Sequence, residues 1–433
     1  MLQVGFGSAD ITPPLGAEIP GGFFPVKNKG AREKLLATAC VVHDGQKTVA
    51  LVGVDILDVC LPLVKSAREQ IHKATKIPGS QVLINASHTH SGGPRPRYRD
   101  GVSEVPYSAT VARGVAEAVT QAWNSLHAAE IGLASGKEES IAFNRRFRMR
   151  DGRTITHPGK PGTQYHDRIV AVEGPIDPAV GVMAARDSKG KIRGFVVNFG
   201  CHSTVVGGDL VSPDYAGYLR KHLRTIHGDD VTTVFLLGAC GDVTQVDNRS
   251  PGRDGGPEHA DMMGQKLAAE VTRVTRKMVW LKETPLAVAS ESVKLAVRPD
   301  PDVDRERPAF GLGSAKAWEP VYAQDRKWLA EFRSKSPTRT TEVQAIRIGP
   351  LGIVTNGSEY FASECLRIKA ASPFKQTWMA SLTNDALGYI PSAEAFFAGG
   401  YEPRTGAASF LAADSSQRIL EASLRMLNQV AQV

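Results

Sequence analysis

Asn85-Ala-Ser-His-Thr-His-Ser-Gly-Gly-Pro94 is the stretch on which the reading of this chain turns. The residues before it, Gln81-Val-Leu-Ile84, form a short apolar run of buried-strand type. Gly92-Gly93-Pro94 can neither extend a strand nor readily open a helix. His88 and His90 therefore fall where a strand gives way to a loop. At i and i+2 of an extended chain their side chains point the same way. Two imidazoles so placed are a start for a metal or acid–base site. A lone His-x-His describes two surface histidines equally well, so the rest of the chain has to decide.

Working outward, the same arrangement recurs. Leu35 to Val59 reads as a β-hairpin turning at Asp44-Gly45, its second arm ending at Asp55. Helical patterns follow at 61–77 and 107–126, the second with Val111, Val115, Val119 and Trp123 on one face. A second hairpin pattern over 180–199 feeds Asn198-Phe-Gly-Cys-His202. Ser212-Pro213 reads as the cap and first position of a helix. Thr233 to Leu237 is a short apolar strand ending in Gly238-Ala-Cys-Gly-Asp-Val-Thr244, with a helix near 258–279. Thr341 to Thr355 reads as strand-turn-strand before Asn356-Gly-Ser-Glu359, and 360–370 and 409–428 as helices. The opening Gly7-Ser-Ala-Asp-Ile-Thr-Pro-Pro14 is turn-rich, and no internal repeat is visible. His88/His90, His202, Asp242/Thr244 and Glu359 all sit just beyond strands, where open α/β sheets place their ligand sites. The hairpins exclude a purely parallel sheet. The expected fold is α/β, one catalytic domain over 1–433, with mixed central β-sheets and helices packed outside.

The composition is that of a globular protein: 433 residues, 42% hydrophobic and 22% charged. Five cysteines, mostly inside apolar runs, are expected to be buried free thiols. No signal peptide or long apolar span is apparent, so a cytoplasmic location without stable membrane insertion is expected. The net charge is +7, and two basic clusters are denser than the rest of the chain, Pro94-Arg-Pro-Arg97-Tyr-Arg99 and Arg145-Arg-Phe-Arg-Met-Arg150. Neither cluster has the period of a nucleic-acid-reading helix, so no nucleic-acid partner is expected. Beside a site, Arg97 and Arg145 would suit an acidic substrate. Homo-oligomerisation is left open.

Taken as an ordered set, several short pieces resemble the catalytic N-terminal domain of the neutral ceramidase family. They are Gly7–Pro14, Ser87-His-Thr-His-Ser-Gly92, Asn144-Arg145, Asn198-x-x-x-His202, Ser212-x-Asp214-x-x-Gly217, Gly241-Asp-Val243, Gly357-x-Glu359, Gly388-Tyr389 and Tyr401-Glu402. The resemblance implies that His88, His202, Glu359 and Tyr389 hold Zn2+. It also implies that His90 lies beside the metal, and that Arg145 and Tyr401 lie near the scissile amide. The chemistry would be metal-assisted hydrolysis, with zinc polarising the carbonyl and acidifying water. His90 would shuttle the proton, while Arg145 and Tyr401 steady the oxyanion or orient the substrate.

The departures from the family matter as well. Its serine lies in Gly-Asp-Val-Ser-Pro-Asn, where this chain has Gly241-Asp-Val-Thr244-Gln245-Val246. Thr244 keeps the hydroxyl, and Thr244, Asp242, Arg97 and Arg145 are the expected substrate contacts. The chain is too short for the family's C-terminal immunoglobulin-like domain. A small soluble or cyclic amide is therefore favoured over ceramide. The alternatives are a true ceramidase acting on N-acylsphingosine, an ester or lactone hydrolase, a hydrolase with Thr244 or Ser91 as nucleophile, and a binding protein without turnover. No Gly-x-Ser-x-Gly elbow supports the nucleophile reading.

Overall fold

The computed structural model describes residues 2–22, 24, 26–96, 105–299 and 315–432. Its long strands are β1 (Gln3–Asp10), β2 (Leu36–His43), β3 (Thr48–Val54), β4 (Val82–Ala86), β5 (Glu130–Lys137) and β6 (Ala179–Arg186). They continue with β7 (Ile192–Phe199), β8 (Thr232–Leu237), β9 (Leu286–Ala296), β10 (Thr338–Ile348), β11 (Leu351–Thr355) and β12 (Gln376–Ala380). The main helices are α1 (Leu61–Thr75), α2 (Pro106–Asn124), α3 (Asp214–His227), α4 (Pro257–Thr275), α5 (Ala315–Lys335), α6 (Ala362–Ala371) and α7 (Ser415–Ala431).

The strands form three mixed sheets of one design, ordered β4-β3-β2-β1, β8-β7-β6-β5 and β12-β11-β10-β9. In each, three strands run as an antiparallel meander, and the fourth returns through a helix to lie parallel to the third. The crossover helices are α1, α3 and α6. A second helix then packs beside each crossover: α2 on α1, α4 on α3 and α7 on α6. The parallel pairs are apolar and almost wholly buried, as strands covered on both faces must be. The fold thus has a threefold repetition that the sequence does not show.

Antiparallel pairing sets where the loops go. Asp10 pairs with Leu36, and Ala37 with Val54. The β1–β2 connection therefore lies at the end where β3 and β4 finish. The same holds for the β5–β6 and β9–β10 connections in the other two units. Buried asparagines join the three strand ends: the Asn85 amide donates to Ser381 O, and its Oδ1 accepts from Leu237 N at 2.7 Å. Asn198 Nδ2 donates to Leu236 O at 2.9 Å and to Met379 O at 2.8 Å.

Most expected elements form within about four residues of their expected ends, but the last helix, expected from 409, begins at Ser415. Three do not match. The opening segment Gly7–Pro14, expected to be turn-rich, supplies the last four residues of strand β1 through Asp10, and only 11–14 lack regular structure. The helix after Ser212-Pro213 starts at Asp214, which takes φ +57°, and Ser212 Oγ accepts from Asp214 N at 3.2 Å. Strand β9 and helix α5 had no sequence signal that was read. All five cysteines are buried and free. No described helix is long and apolar enough to cross a membrane.

Candidate metal centre and active site

The first unit supplies His88 and His90, though not through an extended strand. Strand β4 stops at Ala86, and His88 takes the left-handed conformation at φ +62°. This turn, rather than i/i+2 alternation, brings the two rings together with Nε2 atoms 3.3 Å apart. The second unit supplies His202, three residues after β7. The third supplies Glu359 and Tyr389, which are register partners in a two-residue parallel ladder, Glu359–Tyr360 with Tyr389–Ile390. Gly388, at φ +66°, makes that ladder possible: a Cβ there would fall 2.2 Å from Ala408 O.

Both ligand-type histidines are oriented by carbonyls. His88 Nδ1 donates to Leu57 O at 2.7 Å, and His202 Nδ1 donates to Cys240 O. A carbonyl only accepts, so Nδ1 carries the proton and the Nε2 lone pair is left for the centre. His202 Nε2 lies 3.0 Å from Glu359 Oε2 and 3.3 Å from the Tyr389 hydroxyl. His88 Nε2 lies 3.3 Å from the same Glu359 oxygen. A tetrahedral zinc site with bonds of about 2.0–2.1 Å spaces neighbouring donors about 3.3 Å apart. The donor set and its spacing fit such an ion. His88, His90 and His202 also present donor atoms within 4.8 Å of one another. His90 differs from the other two in being partly exposed, and it lines the cavity together with His88.

Burial is the largest influence on the ionisable groups of the cluster. Burial, then the charges of Arg145 and His88, lower the His202 pKa to about 4, keeping the imidazole neutral. Burial would raise the Glu359 carboxyl, but His88 and His202 outweigh it and hold it well below the usual range. Burial and the neighbouring Glu359 carboxylate raise the Tyr389 phenol, while Arg145 opposes them. Burial pushes the Tyr401 phenol up to about 12, so it stays protonated.

Arg145 sits behind Tyr389 rather than in the cavity wall. Its Nε donates to Glu402 Oε1 at 2.7 Å, and its Nη2 to Gly241 O at 2.7 Å and the Tyr389 hydroxyl at 3.1 Å. Arg146, from the same cluster, is fully buried between Glu402 and Glu173. Half of the basic hairpin is therefore internal scaffolding. Asp242 is also committed: Oδ1 accepts from Ala362 N and Oδ2 from Asn144 Nδ2. Thr244 is buried and donates to Gln245 Oε1 at 2.8 Å. Neither lines the cavity, so the structure does not place Asp242 or Thr244 as substrate contacts. Arg97 lies outside the described residues.

A cavity of about 590 Å³ opens over the centre, lined by His88, His90, Glu359, Tyr389 and Tyr401 among others. The loop Pro20–Gly22 and the helix α5 complete it, and neither was singled out by sequence reasoning. The signal for α5 was there: Tyr322, Trp328 and Phe332 follow helical spacing.

No protein-family model matches the chain, and no curated protein matches it. Among solved structures it is similar to one described as "Ceramidase complexed with C2". The TM-score is 0.76 at 15% identity, covering 100% of this chain and 75% of that one. It is also similar to the neutral ceramidase from Pseudomonas aeruginosa, with a TM-score of 0.75 at 18% identity and the same coverage. At these identities the likeness is one of architecture, and it agrees with the resemblance carried by the short sequence pieces: the chain has the neutral ceramidase catalytic-domain fold.

Proposed function

We propose that this protein is a zinc-dependent hydrolase of C–N amide bonds, acting on a small amide rather than on ceramide. The observation that carries the reading is the meeting of His88, His202, Glu359 and Tyr389, drawn from all three units, with His88, Glu359 and Tyr389 lining one cavity and His202 buried just behind them. Zn2+ held by these four residues supplies Lewis-acid polarisation of the amide carbonyl and acidification of water. His90, facing the cavity beside them, takes the proton of the attacking water and returns it to the leaving nitrogen. The protonated Tyr401 hydroxyl is a donor for the developing oxyanion. Arg145 steadies negative charge on Tyr389 through its 3.1 Å hydrogen bond. The cavity's volume of about 590 Å³ falls within the ~300–1,000 Å³ usual for small-molecule sites.

The test is metal content by mass spectrometry beside amine release from a panel of acyl amides, with a ceramide included. About one zinc per chain is expected, lost together with hydrolysis in a His88→Ala/His202→Ala double variant. Protein that takes up no metal even with zinc added would overturn the reading.

A further inference from the structure

One wall of the cavity is aromatic. It belongs to α5 and to the loop that α5 holds. Tyr322, Asp325, Trp328 and Phe332 recur along one face of α5 and line the cavity, with Phe410 facing them. Asp325 Oδ2 accepts from Ala407 N at 3.1 Å, fixing the 406–410 loop against the helix. The Trp328 and Phe332 rings stack at 5.2 Å and 18°. Phe410 stands edge-on to both, at 5.9 Å and 88° and at 5.8 Å and 77°. Trp328 and Phe332 are only partly buried, and both line the cavity. A core cluster has no reason to leave an indole open to a cavity that also contains His90 and Glu359.

Charge around the cavity is balanced. The arginines that line it are ion-paired: Arg95 with Asp58, Arg339 with Asp385 at 2.7 Å and Arg404 with Glu319 at 3.4 Å. Arg404 also lies over the Tyr322 ring at 3.5 Å. An anionic substrate would have to break one of these pairs to gain a partner. A flat apolar group gains stacking and edge contacts at no such cost.

Resting on the amidohydrolase reading of the centre, we propose that the Trp328–Phe332–Phe410 wall is a subsite for an aryl group. The substrate is then an uncharged amide with an aromatic ring on one arm.

The test uses the full chain with its metal as purified. Amides of butylamine with phenylacetyl, cyclohexylacetyl, octanoyl and succinyl arms are compared for KM and kcat by amine release. The matching ketones, in which the scissile C–N bond is a C–C bond, are titrated calorimetrically. The phenylacetyl compounds are expected to bind about tenfold or more tightly than the octanoyl and succinyl ones. Trp328→Ala should raise their KM and ketone Kd about tenfold with kcat little changed. Trp328→Leu, which keeps apolar bulk without the flat face, should remove the aryl preference and retain octanoyl binding. Phe397→Ala, at a side chain 89% exposed, should change nothing.

A preference for the octanoyl or succinyl arm, or unchanged aryl binding in both Trp328 variants, overturns the proposal. Trp328-dependent binding of the aryl ketone without cleavage of any amide upholds the subsite and removes the hydrolase reading. Amide cleavage without an aryl preference does the reverse.

Discussion

His88 is held at φ +62°, a conformation that costs a non-glycine residue about 1–3 kcal/mol. What that strain achieves is the placing of His88 Nε2 against Glu359 while His90 turns toward the cavity. His90 in turn is seated on Gly21, where a Cβ would fall 2.5 Å from its Nδ1. Gly21 also has φ +94°, so any side chain there is strained and collides with the proton-carrying ring. Gly21→Ala should therefore lower kcat by about 10²-fold through displacement of His90, with zinc content unchanged. Assay and metal analysis of the same preparation check this, and loss of zinc in the variant would reassign the loop to the metal site. Part of this was legible at the level of single residues. His88, His202 and Glu359 advertise themselves as polar groups directly after apolar runs. Tyr389 does not, because a tyrosine after Leu-Gly reads as packing, and only the family resemblance pointed to it. Asp242 and Thr244 carry the same strand-end signal and are spent on Ala362 N, Asn144 and Gln245 instead. Being at a strand end says that a side chain is near the site end of the sheet, not which way it points.

At the scale of elements, the hairpins and amphipathic helices were legible because their periods of two and 3.6 are strong. Strand β1 was not, since Gly5, Gly7 and Ser8 dilute its alternation and Thr12-Pro13-Pro14 suggests a turn. Helix α5 contains Pro320 and many charges, so its apolar face is narrow. The start of α3 hides a further device. Asp214, buried and left-handed, accepts from Val205 N at 2.9 Å, Val206 N at 2.8 Å and Tyr215 N at 2.7 Å. It ties the loop after His202 to the helix, and Ser203 O in that loop receives His90 N at 3.0 Å. Asp214→Ala leaves three buried N–H groups without this acceptor and should cost about 3–5 kcal/mol of stability. Asp214→Asn keeps an acceptor and tolerates the positive φ, so its cost should be about 1–2 kcal/mol. Denaturant melts of the two variants separate the hydrogen bonds from the mere presence of a side chain. Equal losses would mean that the carboxylate charge, rather than its bonds, holds the loop.

The whole molecule explains why scattered motifs meet. Each unit ends its parallel pair at one junction and sends the connection between its first two strands over that same end. The first such connection carries Gly21, the second Arg145, and the third α5 with its aromatic wall. Sequence comparison within the chain cannot reveal this repetition, because what recurs is strand order and burial rather than residue identity. The proposed metal ligands are divided among the units: His88 from the first, His202 from the second, Glu359 and Tyr389 from the third. A bound ion therefore cross-links the three sheets in the folded state and finds no such set in the unfolded chain. Zinc at one hundred times its Kd should then add about 2.7 kcal/mol to stability. With an unfolding entropy of about 2.1 cal/mol/K per residue, a chain of this length has a midpoint shift of about 3 °C. Calorimetric melts with zinc, and with a chelator, should differ by about that amount in the wild type. The His88→Ala/His202→Ala variant should melt at the same temperature in both. A wild-type midpoint indifferent to zinc, in protein shown to contain the ion, would mean that the three units are held by Asn85, Asn198 and their packing alone.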